Sequence, residues 1–220
     1  MRHTTTLFSA SASARPATFL DGAARLAAPG DALAIIRHCA GYCRIAYSLR
    51  VTPPGVLKDP VRAFEASLRQ SIETVLGATL GDRNWNLAGL SIRSGGLGIR
   101  HPTRHAEPAY IASFQSSAEL AKAIDPQFDP SDAASHSGVA AAIRDFNQCI
   151  QHTEAISIDD PPHRQRYLSG LIDASIRRRL LAENSQDRFS VRMSPWWVQR
   201  ARGLGSQHCL RTRRGLGTPI

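Results

Sequence analysis

Several residue types that mark particular protein classes are scarce in this 220-residue chain. Its four cysteines are too few and too scattered for the disulfide framework of a small secreted domain. Only 6% of the residues are aromatic, and no apolar run approaches the length needed to cross a bilayer. The length suits one ordinary domain with a tail, or two small ones, and is too short for a complete polymerase. We therefore expect no membrane partner and no large multidomain enzyme.

Lysine is also scarce, with two residues against 25 arginines, and the formal net charge is +9. Residues 1–160 contain equal numbers of basic and acidic side chains, whereas residues 161–220 contain 12 arginines and three acids. A basic tail on a neutral body is typical of a phosphate-binding segment. GC-rich coding DNA produces the same bias toward arginine, alanine and glycine, so both interpretations stay open.

The candidate metal ligands have unusual spacing. Cys39 and Cys43 lie four residues apart, and Cys149 and His152 form a C-x2-H pair far downstream. Neither spacing is common in zinc sites. We therefore interpret Cys39 and Cys43 as small core residues of a helix, and we predict no metal and no cofactor.

Familiar catalytic motifs are missing as well. The chain has no H-E-x-x-H metalloprotease motif, no G-x-S-x-G nucleophile elbow and no P-loop. His101 and His105 are four residues apart at a predicted helix start, and we interpret them as surface residues. We predict that the chain is not an enzyme and has no catalytic residue.

The apolar pattern predicts a mainly α fold. Periodicity, together with capping and proline signals, predicts helices at residues 31–49, 59–80, 104–124, 139–150 and from Pro161-Pro162 to about residue 184. The 59–80 helix has the clearest apolar stripe, which comprises Phe64, Leu68, Ile72, Val75 and Leu76. The candidate core residues of the next helix are Ala109, Ile111, Ala112, Phe114 and Leu120, and those of the last helix are Leu168, Leu171, Ile172, Ile176, Leu180 and Leu181.

Helical periodicity is lost between residues 82 and 101. Residues 90–92 alternate in polarity and are predicted to be extended, ahead of a turn formed by Ser94-Gly95-Gly96-Leu97-Gly98. The predicted fold is a small helical bundle packed around the 59–80 helix, with a short extended Gly-rich turn and disordered termini.

A series of short motifs occurs in order between Ala23 and Ser117. The motifs are Ile36-Arg37-His38-Cys39-Ala40-Gly41-Tyr42-Cys43-Arg44, Tyr47, Leu49-Arg50, Pro53-Pro54, Phe64, Val75-Leu76-Gly77, Trp85, Leu90-Ser91-Ile92-Arg93-Ser94-Gly95-Gly96-Leu97-Gly98-Ile99-Arg100, His105 and Ala109-Tyr110-Ile111-Ala112-Ser113. In order and spacing they resemble the stretch just after the reverse-transcriptase palm in non-LTR (LINE-like) retrotransposon polyproteins. Ser91 stands where that family usually has proline.

In that family this stretch is the thumb and post-thumb region, which grips the template–primer duplex and holds no catalytic residue. The resemblance implies that RNA or DNA binds through non-specific phosphate contacts, and that a palm domain is a missing partner. The predicted nucleic-acid-binding residues are Arg37, Arg44, Arg93 and Arg100 by family position and Arg177, Arg178 and Arg179 by charge.

The predicted organisation follows from this resemblance and from composition. It comprises an unstructured leader at 1–17, a thumb-like helical region at 18–124, a linker at 125–138, a helical segment at 139–184 and a basic, disordered tail at 185–220. The family pattern ends by about Arg188 and no acid follows Asp187, so a frameshifted tail is one hypothesis.

Asp159 and Asp160 are similar to part of a polymerase signature. Reverse transcriptases place two adjacent aspartates after an aromatic residue and one other, as metal ligands of the palm. Here the preceding residues are Ile156-Ser157-Ile158, with no aromatic, and the pair lies downstream of the thumb-like region. We interpret the two aspartates, with Pro161-Pro162, as a helix start.

Two alternatives remain open. One is a helical protein-interaction or accessory module, organelle-targeted through a Ser-, Thr- and Ala-rich N-terminus, that associates through an exposed apolar stripe of the 59–80 or 161–184 helix. The other is a non-functional relic. The expected location is nuclear or cytoplasmic, with the mitochondrion as the weaker alternative.

Overall fold

The computed structural model describes residues 18–132 and 136–185, so the predicted leader and nearly all of the predicted tail lie outside the described residues. Seven α-helices lie wholly within the described part: α1 (Pro29–Ile35), α2 (Ala46–Val51), α3 (Pro54–Leu76), α4 (Asp82–Gly89), α5 (Pro102–Ile124), α6 (Ser137–Cys149) and α7 (Gln165–Ser185). Residues 18–24 are also helical, and no strand occurs among the described residues. The prediction of a mainly α bundle is confirmed.

The predicted helix over residues 31–49 is broken in the structure. A π-helical turn (Ile36–Ala40) and a 3-10 turn (Tyr42–Arg44) separate α1 from α2. The Gly41 N–H donates to the Ile36 carbonyl at 2.7 Å, and a Cβ at Gly41 would lie 2.7 Å from the same oxygen. Glycine therefore permits a tight break that periodicity does not reveal.

This break changes which side chains face the core. Cys39 and Cys43 are exposed, so their interpretation as core residues is wrong. The fully buried apolar residues of this stretch are Ala32, Ile36, Ala40 and Leu49.

Helix α3 begins at Pro54, five residues before the predicted start, and Pro60 lies inside it. The stripe residues Phe64, Leu68 and Ile72 are buried, as the pattern predicts. The helix ends at Gly77, whose φ of 62° is left-handed, and the next N–H, of Ala78, donates back to the Glu73 carbonyl at 3.2 Å. Glycine adopts this helix-ending conformation without the steric cost of a Cβ.

The region between α3 and α5 is more helical than predicted. Residues 82–89 form α4, and residues 90–92, predicted to be extended, form no strand. The backbone is extended at Leu90 and Ser91 and then enters a 3-10 turn, Ile92–Ser94. The extended Gly-rich turn is therefore present, but its extended part is two residues long.

Helices α5 and α7 also begin away from the predicted positions. Helix α5 begins at Pro102, which places Pro108 inside the helix and not in its first turn. Helix α7 begins at Gln165, so Asp159 and Asp160 do not start it. The Asp160 carboxylate instead accepts the Ser157 N–H at 2.7 Å and closes a local turn.

The core has two main apolar clusters. The first joins the 18–24 segment, α1, α3, α4 and the glycine loop, and the second joins α5, α6 and α7. A smaller cluster of Leu49, Val61, Ala106 and Ala109 connects α2, α3 and α5. Leu120 and Leu181, two of the predicted core residues, are exposed, and Phe114 is half-buried.

Candidate nucleic-acid interface

Two segments that are distant in sequence, 36–44 and 92–100, pack against each other. Ile36 and Ala40 share an apolar cluster with Leu97 and Ile99. The Arg37 Cδ lies 3.3 Å from the place that a Cβ on Gly98 would occupy. The fold thus brings arginines from both segments to one part of the surface.

The glycine loop is held by its own backbone. The Leu97 and Ile99 N–H groups donate to the Ala88 carbonyl at 3.1 and 3.2 Å, and the Gly98 N–H donates to the Leu90 carbonyl at 2.9 Å. A Cβ on Gly96 would lie 2.0 Å from that Leu90 oxygen, so only glycine fits. These N–H groups are occupied within the loop, so the loop positions side chains and does not itself cradle phosphate.

Four of the predicted arginines belong to these two segments. Arg44, Arg93 and Arg100 are exposed and Arg37 is half-buried. The Arg37 Nε donates to the His38 Nε2 at 2.9 Å, and the Arg44 and Arg100 guanidinium groups lie over the rings of Phe19 and Tyr42 at 5.3 and 5.6 Å from the centroids.

None of these four arginines forms an ion pair with an Asp or Glu of the described residues. Arg37, Arg44 and Arg100 contact imidazole or aromatic groups, which fix a guanidinium without neutralising it, and the charge of Arg100 also acts on the Asp173 carboxylate. The positive charge of this surface is therefore available to an anion.

The other three predicted arginines lie on α7 and differ in their partners. Arg178 pairs with Glu154 at 2.9 Å, and Arg179 pairs with Glu183 at 3.9 Å, four residues further along the helix. Arg177 is exposed. Two of the three are thus engaged by carboxylates, so this group offers less free charge than the first four.

Net charge does not create the positive surface in the described residues. Residues 18–132 and 136–185 contain 18 Lys and Arg against 17 Asp and Glu. All but one of the nine net positive charges therefore belongs to residues outside the described part. Within it, a positive region can arise only from the placement of charges, which is what the 36–44 and 92–100 segments provide.

Tyr42 connects this surface to α7. Its hydroxyl accepts the Gln165 Nε2 at 2.6 Å and donates to the His105 carbonyl at 3.5 Å, while Arg50 Nε and Nη2 donate to Gln165 Oε1 at 3.2 and 2.9 Å. Burial raises the pKa of Tyr42, and the charge of Arg100 partly offsets that effect. Sequence reasoning missed Arg50 and Gln165 as partners because they are 115 residues apart.

His101 and His105 are buried, so their interpretation as surface residues is wrong. His101 stacks on Trp85 with ring centroids 4.3 Å apart. Burial lowers the pKa of both imidazoles to about 3, with the charge of Arg104 contributing at His101 and that of Arg100 at His105. Both rings are therefore neutral at pH 7 and cannot exchange protons efficiently there.

A cavity of about 570 Å³ lies between α5, α6 and α7. Its charged lining comprises Arg104, Glu107, Asp145 and Arg179, around Cys149. Burial is the main cause that raises the pKa of both the Glu107 carboxyl and the Cys149 thiol. This lining contains two basic and two acidic side chains, so it does not favour a ligand of either charge.

Within residues 18–132 and 136–185, no group of three or more His, Cys, Asp or Glu side chains is arranged to hold a metal ion. In the same residues no helix has the length and apolarity needed to cross a membrane.

No protein-family model, no curated protein and no solved structure matches this chain. The resemblance to retrotransposon polyproteins therefore stays a prediction from the sequence motifs. Support for a function comes from the placement of charged side chains in the fold.

Proposed function

We propose that this chain is a non-catalytic, nucleic-acid-binding helical domain, similar to the thumb region of a non-LTR retrotransposon reverse transcriptase. One observation carries the proposal. Arg37, Arg44, Arg93 and Arg100 come from two segments that pack together, and none has a carboxylate partner among the described residues.

Binding in this proposal is to the phosphate backbone and does not depend on base sequence. Guanidinium groups are suited to phosphate because they present several N–H donors in one plane. The glycine loop and the π-helical turn are fixed by backbone hydrogen bonds, so the arginines are held on a rigid support. The ligand is an RNA or DNA strand, and the template–primer duplex is the form that the family resemblance implies.

The alternative of a protein-interaction module has less support. It requires an exposed apolar stripe on the 59–80 or 161–184 helix. Phe64, Leu68 and Ile72 of the first stripe, and Leu168 and Ile172 of the second, are buried within this chain. Most of each stripe is therefore already covered, and Leu181 is its exposed member on the second helix.

The test uses two charge-matched triple variants of the full chain. The first is R37Q/R93Q/R100Q, and the control is R62Q/K122Q/R144Q, whose exposed side chains lie on α3, α5 and α6. Fluorescence anisotropy with a labelled RNA–DNA hybrid duplex, measured between 50 and 200 mM salt, gives the affinity and its salt dependence. Thermal unfolding shows whether each variant is folded.

We expect the first variant to bind more weakly and to lose about 0.9 in the log–log salt slope for each phosphate contact removed. The control should retain most of the affinity and slope, since it loses the same charge elsewhere. Equal losses in both variants would assign binding to net charge alone. A wild-type affinity that does not change with salt would contradict the proposal.

A further inference from the structure

Tyr47 is the most exposed tyrosine of the chain, and its relative exposure is 75%. Tyr42 lies under Arg100, Tyr110 packs on the second apolar cluster, and Tyr167 lies 5.3 Å from the His163 ring. The Tyr47 ring has no ring or cation–π partner of this kind among the described residues, so its aromatic face is open to a ligand.

Two arginines flank Tyr47 along the chain. Tyr47 and Arg50 are three residues apart on α2, a spacing at which side chains are neighbours on a helix surface, and Arg44 ends the 3-10 turn that precedes this helix. All three are exposed, while Leu49, which points to the opposite side from Tyr47, is fully buried. The ring is therefore on the outer side of the helix, next to Arg50 and three residues after Arg44.

Both flanking guanidinium groups are held by neutral partners. Arg44 lies over the Phe19 ring, and Arg50 donates two hydrogen bonds to Gln165 Oε1, at 3.2 and 2.9 Å. Neither arginine pairs with a described Asp or Glu, and α2 itself contains no acid. The site therefore combines fixed positive charge with a free aromatic face.

We infer that Tyr47 is a stacking platform for an unpaired base of single-stranded nucleic acid, with Arg44 and Arg50 binding the adjoining phosphates. Single-strand-binding proteins combine cationic grooves with aromatic rings on which bases stack. A duplex is a poor fit, because its base faces are covered by their neighbours. This inference rests on the proposed function and adds that the ligand bound at α2 is single-stranded.

The experiment compares Tyr47→Ala, Tyr47→Phe and Tyr47→Trp in the full chain. The control is Tyr167→Ala, which removes a half-exposed tyrosine that already has a ring neighbour. The probes are a labelled 12-nucleotide oligo(U) and a labelled duplex of the same length. Anisotropy gives the affinity for each probe across a salt series, and thermal unfolding confirms that the variants are folded.

We expect Tyr47→Ala to weaken oligo(U) binding by about 5- to 100-fold, because one stacked base is lost, and to change duplex binding less than twofold. The salt slope should stay the same, since no phosphate contact is removed. Tyr47→Phe and Tyr47→Trp should bind like the wild type, and Tyr167→Ala should have no effect.

The outcomes separate this inference from the proposed function. If the wild type binds both probes with a steep salt slope and Tyr47→Ala does not differ from it, the stacking site is overturned and the proposed function stands. Equal losses for oligo(U) and duplex, or a loss in Tyr47→Phe as large as in Tyr47→Ala, would also overturn stacking. If the wild type binds neither probe, the proposed function fails as well. Tyr47 would then be tested as a contact for an acidic protein.

Discussion

Helices α3 and α5 have the same length, 23 residues, and each contains an internal proline, but they bury different kinds of side chain. Helix α3 buries mainly an apolar stripe, which includes Phe64, Leu68 and Ile72. Helix α5 buries alanines together with His105 and Gln115. Equal length and an internal proline therefore do not imply similar packing.

The difference follows from the neighbours of each helix. Helix α5 contacts α2, α3, α6 and α7, so most sides of its first half meet protein. A helix surrounded in this way buries residues on several of its sides, and in α5 these include the polar His105 and Gln115. Gln115 shows how one of them is accommodated, since its Oε1 accepts the His163 N–H at 3.0 Å.

One side chain connects the two helices. Glu65 of α3 accepts the Thr103 N–H at 2.9 Å and the Thr103 hydroxyl at 2.5 Å, at the first turn of α5. It also accepts the Trp85 Nε1 at 3.3 Å. A carboxylate near a helix N-terminus interacts favourably with the helix dipole. The polar end of α5 is thus completed by an acid from α3.

The largest expected effect on stability comes from truncating Phe64, a buried residue of the α3 stripe. Phe64→Ala leaves a cavity in the first cluster and should lower the free energy of unfolding by about 3–5 kcal/mol. Urea unfolding followed by circular dichroism measures the change. Val56→Ala, at an exposed position of the same helix, is the control and should change stability by less than about 0.5 kcal/mol. Similar values for both variants would show that the stripe of α3 does not stabilise the fold.

We expect acid to lower the free energy of unfolding through the two buried histidines at the start of α5. The folded-state pKa of His101 and His105, about 3, lies below the ordinary value of 6.5, so the unfolded chain binds more protons between these values. Stability from these groups is therefore present above pH 6.5 and is lost as the pH falls toward 3, by at most about 1.4 kcal/mol per pH unit for each histidine. Urea unfolding at pH 7, 6 and 5 measures the slope.

A histidine variant makes the acid prediction specific. His105→Phe should reduce the slope between pH 7 and 5, because one depressed pKa is removed. The control is His152→Gln, which replaces a histidine at an exposed position. A slope that is the same in the wild type and in His105→Phe would place the acid sensitivity elsewhere.

The smallest expected effect is at the far end of α5. Leu120 belongs to the predicted apolar stripe, but its relative exposure is 65%. Leu120→Ala should change the free energy of unfolding by less than about 0.5 kcal/mol. The comparison is Ile111→Ala, a fully buried position of the same helix, which should cost about 2–5 kcal/mol. A large loss in Leu120→Ala would show that this end of α5 is covered in solution.

Local signals in the sequence predicted much of the fold. The Phe64, Leu68 and Ile72 stripe follows from spacing, whereas the helix ends at Gly77, before the predicted end at residue 80. The break at Gly41 was not predicted, because it depends on a close approach to the Ile36 carbonyl that composition does not show. The predicted starts at residues 59 and 104 are too late, since Pro60 and Pro108 each lie inside a longer helix.

The candidate site could be predicted only in part. Arg37, Arg44, Arg93 and Arg100 were identified from the family pattern, but their adjacency follows from the packing of segment 36–44 on the glycine loop. Arg50 had a signal in its spacing from Arg44 and Tyr47. Its partner Gln165 had none, because no local rule connects residues 115 positions apart.

By itself, the sequence determined the helical class, the buried stripe of α3, the glycine turns and the excess of arginine over lysine. These features depend on residue type and short spacing, which act within a few turns of the chain. The tertiary structure decided that His101 and His105 are buried and neutral, that Arg178 and Arg179 pair with acids, and that Tyr47 is exposed on α2. Burial and pairing depend on which distant residues meet, and only the folded chain brings them together.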